Sequence, residues 1–221
     1  MHASDNIGHR WASTPSVDAL EVEADFDAEA AQYDQHLKAW DYRVPHDSTK
    51  ILTGYVRRSA KVLEAGCGTG RVGAVHYRMG YRNLYGCDLS GAMLGVAKSK
   101  GIYKQLVHAD LCQPLPYDDD HFDAVTCLAT LSFIEDAEPT FREFCRVTRR
   151  EGIILFSHRR DLFASRDGLA LCQRLERAGI WKRELHSDWN AYLPGHPAYT
   201  DKLSVGYFVY RVKNSGTCSK S

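Results

Sequence analysis

The run Val62-Leu63-Glu64-Ala65-Gly66-Cys67-Gly68-Thr69-Gly70 gathers residue types that can cradle a ligand. An apolar stretch meets an acid, then Gly-x-Gly-x-Gly, then a helical pattern. Glycines accept positive φ and let backbone lie directly against a bound group. The open helix start after Gly70 suits a negative group. The next apolar run ends in Gly86-Cys87-Asp88, with Asp88 eighteen positions past Gly70. A nucleotide-binding βαβ unit places its ribose-accepting carboxylate at about that distance. A rival frame, Gly68-Thr69-Gly70-Arg71-Val72-Gly73, matches the dinucleotide pattern G-x-G-x-x-G. It strands Gly66 and Cys67 between strand and turn and leaves Glu64 without a role. Glu64 is better explained by a ligand with a positive group near the first turn. A nicotinamide dinucleotide brings a pyrophosphate there instead.

The elements that must position these residues follow from the pattern. After Ala60, strand-like runs alternate with helical ones: KVLEA, the glycine turn and a helix; NLYGCD and a helix from Ser90; KQLVHAD; FDAVTCLA; a helix across Glu138 to Val147; then GIILFS. Apolar strands alternating with helices imply a parallel sheet covered on both faces. A helix over about Gly168 to Ala178 presents Leu169, Cys172 and Leu175 on one face. Leu203 to Val212 reads as a late strand that could pair antiparallel with a segment around Arg183 to Tyr192. Upstream, Phe26, Ala30, Tyr33, Leu37 and Trp40 recur at steps of four and three, predicting a helix from Val22 to Trp40. Its other face, Glu21, Glu23, Asp25, Asp27 and Glu29, reads as a solvated acidic face. Pro45 interrupts, and a second helix runs through Ile51, Leu52, Tyr55 and Val56.

Composition narrows the function classes. The 221 residues carry 28 basic and 28 acidic side chains, so the formal net charge is zero. That argues against a protein held on nucleic acid by bulk positive charge, and against a polybasic membrane anchor. Arg142, Arg146, Arg149 and Arg150 lie at helical spacing and read as a solvated face. No apolar run is long enough to span a bilayer, and no secretory signal is visible. Seven cysteines form no CxxC pair, and ten histidines form no HExxH. Disulfide and zinc frameworks are therefore not expected; reduced thiols in a cytoplasmic protein are.

The motifs LEAGCGTG, GCD, HADL and FDAV, in that order, resemble class I S-adenosylmethionine-dependent methyltransferases. The resemblance runs from about Asp25 to Val212. Tyr33-Asp34, Trp40, Tyr42-Arg43-Val44-Pro45, Gly101-Ile102-Tyr103, PLPYDDDHFDAV and Leu175 to Trp181 are more narrowly similar to the Williams–Beuren syndrome region methyltransferase-like family. The implied fold is α/β, with a Rossmann-like, seven-stranded, mostly parallel sheet, helices on both faces and an antiparallel last strand. An N-terminal helical lid covers it. Residues 1–17 and 213–221 read as disordered tails. Residues 18–212 read as one domain: a lid over 18–60, a cofactor-binding core over 61–158, and a substrate-side helix with the last strands over 159–212.

The resemblance also implies roles. Gly66, Cys67, Gly68 and Gly70 border the methionine and ribose parts of S-adenosyl-L-methionine. Glu64 orients the ammonium, directly or through water, and Asp88 accepts from the ribose hydroxyls. Leu89 and Met93 pack on the adenine, a contact that suits an adaptable thioether. Asp110 accepts the adenine amino group, with the Leu111 amide nearby. Cys127 and Leu128 offer backbone to the methionine part, Tyr33 lies at the lid, and Arg43 meets the cofactor carboxylate. Methyl transfer is an in-line displacement, so the protein chiefly orients the reactants and excludes water. An acidic acceptor also needs a base. The candidates are His158, His196, Tyr33 and Asp188, each with a structural alternative.

After the fourth strand, Cys127-Leu128-Ala129-Thr130-Leu131-Ser132 lacks the Asn/Asp-Pro-Pro-aromatic motif of nucleobase amino-group methylases. The expected function is methyl transfer to an oxygen, nitrogen or sulfur of a small-molecule acceptor. The alternatives are a cofactor-binding module without catalysis and a nicotinamide-dependent reductase.

Overall fold

The computed structural model describes residues 15–200 and 202–213. Residues 1–14 and 214–221, most of the two expected tails, lie outside the described residues, as does Cys218. The inner residues of those tails are built into the structure. Val17 lines the cleft described below, and the Lys213 N–H donates to the Ile180 carbonyl at 2.9 Å.

The central sheet contains β1 (Lys61–Ala65), β2 (Asn83–Asp88), β3 (Tyr103–His108), β4 (Phe122–Cys127), β5 (Thr148–Arg159), β6 (Trp181–His186), β7 (Asn190–Ala191) and β8 (Ser204–Val212). Its order is β3-β2-β1-β4-β5-β8-β6. Strands β1 to β5 pair in parallel, and β8 runs antiparallel to both β5 and β6. Seven strands therefore form the path, as expected, and the two-residue β7 adds an eighth against β8. The last strand in sequence is not last in space; it lies between β5 and β6. Strands β4 and β8 are almost wholly buried, as a sheet covered on both faces requires.

The strand order reverses between β1 and β4. The chain leaves β1 toward one edge through β2 and β3, then returns to build the other side from β4. Open α/β sheets bind ligands at such a switch point, beyond the carboxyl ends of the strands. The helices α4 (Arg71–Arg78), α5 (Gly91–Ser99), α6 (Ala137–Val147), α7 (Arg160–Ser165) and α8 (Gly168–Arg177) connect or follow the strands. Ser90 caps α5, accepting the Met93 N–H at 3.0 Å, and Asp136 caps α6 through the Glu138 N–H.

The N-terminal helices are α1 (Ala19–Glu29), α2 (Tyr33–Ala39) and α3 (Val44–Thr53). The single helix expected from Val22 to Trp40 is thus two. Gln32 N–H reaches back only three residues, to the Glu29 carbonyl at 2.9 Å, and the chain turns. Phe26 packs edge-on against Phe133 at 5.1 Å, whereas Leu37 joins the core beneath Tyr42 and Leu193. The apolar spacing survives the bend, so it could not reveal it. Pro45 starts α3 rather than merely breaking a helix, a position where its missing N–H costs little.

Two further expectations are corrected. In α8 the buried face is Gly168, Leu171, Cys172 and Leu175, while Leu169 is exposed. The four arginines do not share a helix, because α6 ends at Val147 and Arg149 and Arg150 open β5. Arg146 is no solvated residue either. Its guanidinium meets Glu143 and Asp119 and donates to the Leu115 and Tyr117 carbonyls, fastening the loop before β4.

Candidate functional site

A cleft opens where β1, β2 and β4 end. Its floor is the glycine turn. Gly66, Gly68 and Gly70 have φ of 72°, 52° and 78°, which L side chains rarely adopt. The Gly66 and Cys67 N–H groups both donate to the Cys87 carbonyl, at 2.9 and 3.0 Å, tying the turn to the end of β2. A side chain on Gly66 would collide with Thr130 at 2.3 Å, so this glycine lets the β4 end approach. A Cβ on Gly68 would meet nothing within 4 Å, leaving bare backbone toward the cleft.

Asp88 ends β2 and faces the same space. Its Oδ2 accepts the Gly68 N–H at 2.7 Å and its Oδ1 accepts the Ser90 N–H at 2.9 Å. Burial raises its carboxyl above the ordinary range, although backbone N–H groups of Ser90, Gly68 and Leu89 pull it down. Asp110 follows β3 and lines the cleft beside Leu111 and Cys112; its Oδ1 accepts the Cys112 N–H at 2.8 Å. Leu89 and the buried Met93 form one apolar wall. Phe133 and Ile134 form another, on and after a short 3₁₀ turn, Leu131–Phe133. Arg166 clasps that turn, donating to the Ser132 and Ile134 carbonyls at 3.0 and 2.9 Å.

The cover comes from the N-terminal helices, through Val22, Glu23, Phe26 and Tyr33. The acidic face of α1 is not simply solvated. Glu23 pairs with His108 at 3.1 Å, Glu29 with His36, and Asp27 accepts from the Ser90 hydroxyl and the Ala92 N–H. On α2, Asp34 accepts from the Thr69 hydroxyl at 2.6 Å and from Lys100 Nζ at 2.8 Å, while its carbonyl accepts from Arg71. Glu29 thus joins α1 to α2, while Glu23, Asp27 and Asp34 dock the cover on the core. Nothing in a helical periodicity distinguishes a docked acid from a solvated one.

The structure therefore brings together Gly66, Gly68, Asp88, Leu89, Met93, Asp110, Leu111 and Tyr33. It does not bring the others to the cleft. Glu64 and Cys67 are buried behind the turn, and Gly70 caps α4 on the far side. Cys127 is wholly buried in the core, because the chain is still in the sheet there. It clears the sheet at Ala129, whose φ is 61° and whose N–H is held by the Ser157 hydroxyl at 2.9 Å. Ala129 and Thr130 line the cleft in place of Cys127 and Leu128. Arg43 is 66% exposed and pairs with Asp41 at 2.8 Å. It precedes α3 and borders a separate groove with Asp47 and Lys50, a consequence of the bend the sequence hid.

The candidate bases fare differently. Tyr33 lines the cleft, but burial raises its phenol far above the ordinary value, so it stays protonated. His196 is buried against Trp40, ring centroids 4.6 Å apart, and its Nδ1 accepts the Ala198 N–H. His158 lines an adjoining cavity with Phe163 and Arg166 that shares Ile134 with the cleft. Its Nδ1 bonds the Arg159 carbonyl at 3.0 Å, and burial pushes it down to about 4, so the ring is neutral near pH 7. Asp188 is exposed away from the cleft. The lining residues missed in sequence include Val17, Phe26, Thr130 and Phe133. Only Phe26 carried a signal, its place on the apolar helix face.

The site can hold a ligand with a flat apolar body and donor groups at two points, one for each carboxylate. The rival glycine frame does not fit. Gly73 lies inside α4, and a Cβ there would strike the Tyr103 hydroxyl at 2.1 Å, so its small size makes room for a side chain rather than a pyrophosphate.

Comparison with known proteins agrees. A family model described as a methyltransferase domain matches residues 63–156. Human Methyltransferase-like protein 27 is 33% identical over 164 residues, covering 71% of this chain and 66% of that one. The malonyl-[acyl-carrier protein] O-methyltransferase of Salmonella typhimurium is 30% identical over 141 residues, covering 64% and 54%. The chain thus matches just under two thirds of the human relative's length and about half of the bacterial one's. A solved SAM-dependent methyltransferase of Thermotoga maritima shares the fold with a TM-score of 0.60 at 14% identity, covering 86% of this chain and 98% of that one. The chain belongs to the class I S-adenosylmethionine-dependent methyltransferases, whose cofactor is S-adenosyl-L-methionine.

Proposed function

We propose that this chain transfers the methyl group of S-adenosylmethionine to a small-molecule acceptor. The observation that carries the reading is the pair of carboxylates, Asp88 and Asp110, facing one cleft between apolar walls at the switch point of the sheet. When bound, the cofactor supplies an electrophilic methyl group on a sulfonium. Asp88 would accept from the ribose hydroxyls and Asp110 from the adenine amino group. Leu89, Met93 and Phe133 would enclose the base. Gly66, Gly68 and Ala129 would border the methionine part, and Tyr33 with Phe26 would keep water from the methyl. The neutral net charge and the covered cleft support a small acceptor over a nucleic acid. The bacterial relative's name specifies oxygen, which puts oxygen acceptors first in a screen.

One observation favours a second reading, a cofactor-binding module without catalysis. Of the candidate bases only Tyr33 lines the cleft, and it stays protonated. A tritiated-methyl transfer screen over metabolites, paired with S-adenosylhomocysteine calorimetry, separates the two. Turnover rejects the second reading; binding without turnover of any acceptor rejects the first; absence of binding rejects both. The six described cysteines are all free thiols, which supports a reducing, cytoplasmic compartment. Among the described residues no helix is long and apolar enough to cross a membrane.

The docked cover makes its own prediction. Asp34→Ala removes one hydroxyl bond and one half-exposed ion pair that hold α2 on the glycine turn and on the end of α5. Such contacts are worth about 1–2 kcal/mol together. S-adenosylhomocysteine should dissociate roughly 5–20-fold faster in stopped-flow, and the salt dependence of release should shrink. An unchanged release rate would remove Asp34 from the latch.

A further inference from the structure

Tyr103, at the start of β3, sends its side chain beneath the glycine turn rather than toward solvent. Three glycines create the space. Ideal Cβ atoms at Gly73, Gly70 and Gly86 would lie 2.1, 2.9 and 3.2 Å from the tyrosyl side chain. At Gly73 and Gly70 a Cβ would overlap the side chain where it stands, and at Gly86 it would press on the ring and on Leu106. The phenol donates to a Glu64 carboxylate oxygen, and the Gly73 N–H also donates to Glu64. Glu64 is only 3% exposed, one residue before the Ala65-Gly66 step onto the cleft floor. A carboxylate that deep is costly unless hydrogen-bonded.

Resting on the reading of the cleft as the cofactor site, we propose that Tyr103 is a positioning residue: its hydroxyl holds the Glu64 carboxylate behind the turn, where that charge attracts the ammonium of the cofactor's methionine part. The tyrosine touches no cofactor atom. It acts through Glu64, and the glycines at 70, 73 and 86 make room for this buttress.

The electrostatics are consistent. Burial pushes the Glu64 carboxyl up to about 8, against the pull of the phenol, the Gly73 N–H and the Lys100 ammonium. Asp88 pushes it up as well, and the buried thiol of Cys67 lies alongside. Free Glu64 is thus largely protonated at pH 7, and a bound ammonium favours its ionised form. Binding of an ammonium-bearing ligand should release a proton and tighten as pH rises toward 8. Removing the phenol withdraws a bond to the carboxylate and moves that inflection to higher pH.

The test compares two ligands by calorimetry. S-adenosylhomocysteine carries the ammonium; 5′-methylthioadenosine keeps the adenosine and the sulfur but lacks it. Tyr103→Phe keeps the ring in its niche. It should weaken S-adenosylhomocysteine about 5–20-fold at pH 7 and shift its pH profile upward. Binding of 5′-methylthioadenosine should stay within about twofold, which also reports a folded cleft. In a Glu64→Gln background the same change should add nothing. Equal loss for both ligands, or a loss that persists beside Glu64→Gln, overturns the assignment. If wild-type protein binds neither ligand, the reading of the cleft fails and this proposal falls with it.

Discussion

Asp88→Ala should weaken S-adenosylhomocysteine binding by about 30–150-fold, or roughly 2–3 kcal/mol. The size follows from two functions carried by one carboxylate. Its oxygens already hold the Gly68 and Ser90 N–H groups, at 2.7 and 2.9 Å, so they shape the turn and the start of α5. Asp88 lines the cleft, and a carboxylate has acceptor capacity beyond these backbone bonds for ribose hydroxyls to use. Charge-assisted bonds of this kind are about twice as strong as neutral ones. Alanine removes both sets together. Asparagine keeps one acceptor oxygen and should lose less, about 10-fold. Calorimetry on thermally intact variants decides the matter. Affinity of Asp88→Ala within twofold of wild type would remove this residue from the site.

The second large effect concerns stability. His76, on α4, is wholly buried, and neither ring nitrogen meets a hydrogen-bonding partner among the described residues. Tyr81 lies edge-on at 5.7 Å. Burial pushes this imidazole down to about 3, from an ordinary value of 6.5. The unfolded chain therefore binds a proton that the folded one refuses between these limits. Stability is intact above pH 6.5 and falls as pH drops, by about 1.4 kcal/mol per unit, to a loss of roughly 4–5 kcal/mol near pH 3. Glu64 works in the opposite sense. Its raised carboxyl holds a proton in the fold between pH 4.5 and 8, so its contribution is lost as pH rises through that window. Comparison with His76→Leu isolates the histidine. The variant should be about 1–3 kcal/mol more stable at pH 7.5, because two unpaired polar atoms leave the core. Its advantage should widen steadily toward pH 4 in urea titrations. Parallel stability profiles for the two proteins would show that His76 finds a partner in solution.

How much was legible in the sequence differs between the core and its cover. Gly66, Gly68, Asp88 and Asp110 were readable because each lies at or just past the end of its own strand. In a parallel sheet all such ends open on one edge, so strand, turn and spacing together place them. The same logic slipped by two residues at Cys127, where the strand carries the side chain into the core and Ala129 emerges instead. Arg43 and His196 were misplaced for another reason. Both lie beyond bends, near Gln32 and in the segment after β7, that leave no mark in apolar spacing.

By itself, then, the order of residues determined the covered parallel sheet, the switch point and the acids at its strand ends. These depend on local periodicity and on contacts between neighbours in sequence. Only the tertiary structure decided that Asp27 and Asp34 fasten the cover and that Phe133 closes the cleft under the clasp of Arg166. It also decided that Tyr103 fills the space under three glycines. Each of those contacts joins residues tens of positions apart, and its energy depends on burial and on bond geometry. Neither quantity exists until the chain has closed on itself.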